Sequence, residues 1–182
     1  MTIFFTSDTH FNQHTIIAYG GRPFSSVGEM DEALIERWNA RVKPSDHIYH
    51  LGDVSMKRPR MVKHLVDRLN GHRRLIRGNH DIYHTKEYLD AGWNELYSMR
   101  YIDRIMFSHI ALHPDSMGPY VANVHGHIHQ HASPTPVMRL DKETSRVIWK
   151  PYVNISVEVT NYTPISFEEV KDRIKKDQQS LL

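Results

Sequence analysis

Three imidazoles fall within five residues at His125-Gly126-His127-Ile128-His129, and imidazole is the commonest metal-binding side chain. On an extended segment, alternation would put all three on one face. Surface accidents and satisfied core histidines make short patterns of the same kind, so the company these residues keep decides their meaning. Four further clusters carry related donors: Asp8-Thr9-His10, Gly52-Asp53, Gly78-Asn79-His80-Asp81 and Ser108-His109. The donors are carboxylate, imidazole and amide, with no sulfur, because the chain has no cysteine. Such a set is too rich for one tetrahedral ion and suits two borderline divalent metals, Mn, Fe, Zn, Ni or Co, sharing a carboxylate. The absence of cysteine also removes disulfides and a thiolate nucleophile.

Each cluster follows a short apolar run. Ile3-Phe4-Phe5 leads to Asp8, His47-Ile48-Tyr49-His50-Leu51 to Asp53, and Arg73-Arg74-Leu75-Ile76-Arg77 to Asn79. Residues 105–108 deliver His109, and residues 120–124 deliver the histidine cluster. These runs read as buried strands opening into polar loops. Between them lie helical patterns: Met30, Leu34, Ile35, Trp38 and Val42 behind the N-cap candidates Ser25 and Ser26, then one apolar face over 59–69, then a short piece over 86–91. Strands are expected over 96–101 and 153–159, with a hairpin of 137–140 and 147–150 around 141–146. Ser166 and Glu169 form a capping box that opens a terminal helix over 167–176, with Val170 and Ile174 facing in. No catalytic cluster is expected in this last quarter. The order of elements predicts an α/β layer fold with mixed sheets. In open α/β sheets, sites form outside the carboxyl ends of the strands, so the five clusters should converge in one cleft.

At 182 residues the chain suits a single domain. A formal net charge of +2 marks no dedicated nucleic-acid-binding surface. No run approaches the roughly 20 apolar residues of a membrane helix, and the start Met1-Thr2-Ile3-Phe4-Phe5 lacks the features of a signal peptide. The expectation is a cytoplasmic protein with no membrane partner, its oligomeric state open.

Taken in order, Asp-x-His, Gly-Asp, Gly-Asn-His-Asp, His and Gly-His-x-His, from Asp8 to His129, resemble the blocks of the calcineurin-like metallophosphoesterases. The resemblance implies a four-layer α/β/β/α sandwich of two mixed sheets flanked by helices, in one phosphoesterase domain over residues 1–182. It implies Asp8, His10, Asp53 and His129 as ligands of one metal, and Asp53, Asn79, His109 and His127 as ligands of the other, with Asp53 as the bridge. Manganese is the first expectation for the pair. Hydroxide held between the two metals would attack phosphorus in line with the leaving oxygen. His80 would face the substrate, protonating the leaving alkoxide or orienting the phosphate, and Asp81 would hold its ring.

Relatives often carry proline where this chain has Ala111, and His113 competes with His109 for the ligand position. His109, at the end of Ile105-Met106-Phe107, is preferred. Asn12, His14 and Arg22 follow the first metal loop and are expected at the phosphate oxygens, although Arg22 could equally cap neighbouring carbonyls. His50 and His125 are expected beside the site rather than on a metal. The implied function is a phosphodiesterase acting on small, nucleotide-type or cyclic nucleotide substrates, a lean resting on family analogy. Phosphomonoesterase or protein phosphatase is one alternative; a catalytically silent metal-binding scaffold is the other.

Overall fold

The structure is a computed structural model that describes residues 1–140 and 147–179. Its order is β1 (Ile3–Thr6), α1 (Thr15–Tyr19), α2 (Val27–Arg41), β2 (His47–His50), α3 (Pro59–Val66), β3 (His72–Ile76), α4 (Thr85–Asp90), β4 (Glu95–Tyr97), β5 (Arg100–Ile102), β6 (Ile105–Phe107), β7 (Ala122–His125), β8 (Val137–Leu140), β9 (Val147–Lys150), β10 (Tyr152–Asn154), β11 (Ile165–Ser166) and α5 (Phe167–Gln179). Single 3-10 turns cover Pro114–Met117 and Val157–Thr160.

The apolar runs at the start of the chain are continuous because they are buried on both faces. In the first sheet, ordered β11-β1-β2-β3-β4, strands β1 to β4 are parallel and β11 is antiparallel to β1. Alternation sends Phe4, Ile48 and Leu75 toward one core, where α2 supplies Met30, Leu34, Ile35 and Trp38 and α3 supplies Val62, Leu65 and Val66. Phe5, Tyr49 and Ile76 point the other way, into a core shared with Ile105, Phe107, Val124 and Val153 of the second sheet. The rings of Phe5 and Phe107 stack there with centroids 4.2 Å apart. That sheet is ordered β10-β7-β6-β5, its first three strands parallel and β5 antiparallel. The result is a mixed α/β fold with two mixed sheets and helices. Ser26 caps α2 by accepting from Glu29 N, and Ser166 and Glu169 exchange bonds of 3.3 and 2.7 Å at the start of α5. Val170 and Ile174 join the core between the sheets.

Three local features depart from the sequence reading. The strand expected over 96–101 is two strands, β4 ending the first sheet and β5 edging the second; alternation alone cannot say which sheet a short run joins. The strand expected over 153–159 stops at Asn154, whose Oδ1 accepts from Ser156 N at 2.9 Å and Ser156 Oγ at 2.8 Å. That side-chain turn replaces the next ladder step and starts the 3-10 turn. β7 ends at His125, and His127 (φ 71°) and His129 (φ 50°) are left-handed, so the three imidazoles do not share an extended face. Leu112 N donates to Asn123 Oδ1 and Tyr152 OH to Leu112 O, each at 2.8 Å, which ties the loop after β6 to the second sheet. β8 and β9 pair antiparallel as expected, their connection at 141–146 lying outside the described residues. Among the described residues, no helix is long and apolar enough to cross a membrane.

Candidate metal centre

All five sequence clusters leave the carboxyl ends of parallel strands. Asp8 and His10 follow β1, Asp53 follows β2, Asn79 and His80 follow β3, His109 follows β6, and His127 and His129 follow β7. Parallel neighbours end on the same edge of a sheet, so the topology gathers the loops. Asp8 (φ 59°), His10 (φ 50°), Asp53 (φ 58°), His127 and His129 are all left-handed. For non-glycine residues such backbone costs on the order of 1–3 kcal/mol each and persists where the surroundings over-determine it. Here the first two loops are zipped together: Asp8 N donates to Gly52 O (3.0 Å), His10 N to Asp53 O (3.1 Å) and Phe11 N to Val54 O (2.8 Å). Gly78 and Gly126 allow the rest of the approach. A Cβ on Gly78 would overlap Asp53 Oδ1, and one on Gly126 would overlap Ser7 Oγ and Asp8 Oδ2.

Two trios of donors result. One ligand atom each from Asp8, His10 and His129 lies within 4.8 Å of the other two, and the same holds for Asp53, His109 and His127. Asp53 Oδ2 sits between the trios, 3.8 Å from His10 Nε2 and 3.4 Å from His109 Nε2. Asn79 Oδ1 is 2.9 Å from His109 Nε2. His109 Nδ1 donates to Leu51 O at 2.7 Å, which fixes the ring and aims Nε2 at these oxygens. His113 is far more open, with 73% of its side chain exposed against 3% for His109. Asp8 accepts from His127 N at 3.0 and 3.1 Å and from Ser156 Oγ at 2.9 Å.

Electrostatics separates the two carboxylates. Burial raises the Asp8 pKa above the ordinary value, against the opposing pull of the His109 charge. Burial also acts on Asp53, but the hydrogen bond and charge of His109 and the donated His80 amide outweigh it and hold that carboxyl down at about 2. Burial drives the His10 pKa down to about 3, so its ring is neutral at pH 7. Its Nδ1 donates to Gln13 Oε1 at 2.8 Å, leaving Nε2 buried without a hydrogen-bond partner. A buried lone pair beside two carboxylates is what a bound cation requires.

The sequence model of the calcineurin-like phosphoesterases matches residues 1–172. The chain belongs to that family. The uncharacterized protein MJ1445 of Methanocaldococcus jannaschii is 35% identical over 183 residues, spanning 96% of this chain and 92% of that one. The crystal structure of AQ665, a protein of unknown function from Aquifex aeolicus, superposes with a TM-score of 0.69 at 24% identity over 94% of this chain and 98% of its own, a likeness of fold. Members of the family typically depend on two metal ions, and the two trios of this calcineurin-like phosphoesterase fit that requirement on the observations above: nitrogen and oxygen donors, an orphaned Nε2, and a carboxylate oxygen between the two groups.

A cleft of about 370 Å³ opens over the trios, lined by His10, Asp53, His80, His127 and His129 on the site and by Gln13, Thr15, Ile16 and Tyr19 opposite. His80 stands at its mouth, 39% exposed, with Nε2 3.9 Å from Asp53 Oδ2 and its amide donating to Asp53 Oδ1 at 2.9 Å. Three expectations about neighbouring residues need correction. Asp81 does not hold the His80 ring; its buried carboxylate accepts from Asp53 N (2.7 Å), Gly78 N (2.9 Å) and Val54 N (3.3 Å), and burial raises its pKa to about 6. Arg22 is buried, donating to Asp8 O at 2.7 Å and Thr9 O at 2.8 Å, so it caps carbonyls instead of facing a phosphate. Asn12 and His14 do not line the cleft: Asn12 N is bound to the Asp31 carboxylate and exposed His14 heads α1.

The last quarter of the chain, expected to be silent, supplies Ser156 to Asp8 and Glu158 to His129. Glu158 Oε1 accepts from His129 Nδ1 at 3.0 Å; burial presses the imidazole pKa down, but this bond and the charges of Glu158 and Asp8 together raise it. Asn154 Nδ2 donates to His129 O at 2.6 Å. The available signal was an acid in an otherwise apolar run, Val157-Glu158-Val159. His50 is buried with Nε2 2.9 Å from Thr9 Oγ1, and His125 is buried with Nδ1 donating to Gly126 O at 2.9 Å.

Proposed function

We propose that the protein hydrolyses phosphate diesters of nucleotide type, using two divalent cations held by Asp8, His10, Asp53 and His129 on one side and by Asp53, Asn79, His109 and His127 on the other. The observation that carries the reading is the pair of donor trios meeting at Asp53 Oδ2 beneath an open cleft. Bound there, two cations supply positive charge to phosphate oxygens and make a coordinated water acidic enough to act as nucleophile. The chain contributes the rest. Asp53 lies where both cations would be reached, and Asn79 beside the second of them. His80, exposed and tethered through its backbone to Asp53, serves as the proton donor to the leaving oxygen. Manganese is the first cation to try, since the sulfur-free donor set suits Mn, Fe, Zn, Ni or Co.

The diester lean draws support from the wall of the cleft. Among the described residues no Lys or Arg lines it, and Arg22 is engaged with backbone and Glu158. A monoester dianion is well served by an arginine fork; a diester carries less charge and a second organic group, for which Ile16 and Tyr19 offer apolar surface. The same reading takes residues 1–182 as one phosphoesterase domain in the four-layer order, supported by helices over one face of the first sheet and by the second sheet over the other. Hydrolysis of bis(p-nitrophenyl) phosphate and of p-nitrophenyl phosphate, after chelation and Mn²⁺ addition, tests it. The diester should give the higher kcat/KM. Preference for the monoester would sink the diesterase assignment, and no turnover of either with any of the five metals would leave the scaffold.

A further inference from the structure

We infer that Glu158, locked in place by Arg22, sets the affinity of one of the two cation positions and leaves the other untouched. The inference rests on the dinuclear reading above and adds an asymmetry to it. Glu158 Oε1 accepts from His129 Nδ1 at 3.0 Å and from Arg22 Nε at 2.9 Å, and lies 2.7 Å from Arg22 Nη2 in the ion pair. The side chains of Arg22 and Glu158 are 0% and 3% exposed, so this is a dry charge pair rather than a surface contact. The Nη groups of Arg22 donate to the carbonyls of Asp8 and Thr9 and to Met30 Sδ. One guanidinium–carboxylate pair therefore ties the loop carrying Asp8 and His10 to the ring of His129, and all three members of the first trio hang on it.

Among the described residues, no carboxylate stands behind His109 Nδ1 in the second trio. His109 Nδ1 donates to the neutral carbonyl of Leu51. A carboxylate behind an imidazole makes it a better donor to a cation than a carbonyl does, and it fixes the tautomer with Nε2 free. Arg22 balances the charge that would otherwise be buried alone beside Asp8. Glu158 is thus a positioning residue acting through His129, with no contact to substrate.

Equilibrium titration of the chelator-stripped chain with Co²⁺, followed by calorimetry, reads this without reference to turnover. The wild-type chain should take two Co²⁺. Glu158→Gln should weaken one step by about 10–100-fold, the usual range for loss of an outer partner, and leave the other unchanged. His109→Ala, which damages the second trio, identifies the step concerned, because the step it spares is the one Glu158→Gln must weaken. Should Glu158→Gln fail to fold with Arg22 unpaired, Glu158→Asp keeps the charge while drawing the oxygen back from Nδ1, and should weaken the same step. Two unchanged steps in the folded variants would overturn the inference and leave the dinuclear reading standing, and so would equal weakening of both. A wild-type chain that binds no Co²⁺ would overturn that reading and this inference together.

Discussion

His80 is the imidazole nearest Asp53 that is not enclosed. His10 and His109 are sealed in the site, whereas His80 keeps 39% of its side chain in the cleft mouth. Proton donation by a positioned side chain contributes typically about 10²–10⁴-fold, so His80→Ala should lose turnover by roughly that factor while still binding two cations, as elemental analysis would show. Loss of metal with the activity would instead make His80 a ligand. Asp81 belongs to a different class of residue. Three backbone amides end on its carboxylate, and removing a buried acceptor strands its donors at a cost of about 1–3 kcal/mol for each group left without water. Asp81→Ala should therefore lower stability by about 3 kcal/mol in urea unfolding; an unchanged midpoint with altered pH dependence of kcat would restore the orienting role that the motif suggested.

At the scale of elements, the strands that carry the site were legible because each is an apolar run that stops abruptly at an acid, amide or imidazole. Phe4 and Phe5, Ile48 and Tyr49, and Leu75 and Ile76 each serve one core on either side of the sheet. Asp81 was misread because adjacency to His80 does not show that its carboxylate turns onto the backbone amides of Asp53, Val54 and Gly78; Arg22, beyond the left-handed Asn12 and Gly21, took the carbonyl-capping role of the two it could have. Glu158 stood out only as an acid in an apolar run, and its role stayed unread because its partners lie 29 and 136 residues away. The turn after β7 shows how tight the junction is: Gly126→Ala would push a methyl into Ser7 and Asp8, so it should lower the melting temperature and displace one cation, measurable by calorimetry and metal content. Where β1 starts, Asp46 accepts from Thr2 N at 2.8 Å and Lys43 N at 3.0 Å, and these bonds hold its pKa below the ordinary value. A depressed carboxylate stabilises the fold above its unfolded pKa and loses that contribution as pH falls through the folded one. Asp46→Asn should thus cost about 1–2 kcal/mol at pH 7 and clearly less at pH 3; an equal cost at both would deny the linkage.

Across the whole molecule, the centre is a seam. The first sheet supplies Asp8, His10, Asp53 and Asn79, and the second supplies His109, His127 and His129. Cations bridging the two should stabilise the folded chain by mass action, about 2.7 kcal/mol per site at a hundredfold excess over Kd. For a chain of this size that is about 5–10 °C in Tm per occupied site, so chelation followed by Mn²⁺ should move the melting curve by at least this much, and a coincident pair of curves would mean that the seam holds no metal. The seam also has an order in time. Ser7 forms a parallel bridge with Ser156, Val157 N donates to Ser7 O at 3.1 Å, and Ser156 and Glu158 complete the surroundings of Asp8 and His129. A chain emerging from the ribosome has made every donor by His129 yet lacks the segment that steadies half of them. Cation capture therefore reports the completion of the fold rather than its nucleus, and a nascent chain arrested near residue 150 would carry all the metal-binding chemistry on an unfinished frame.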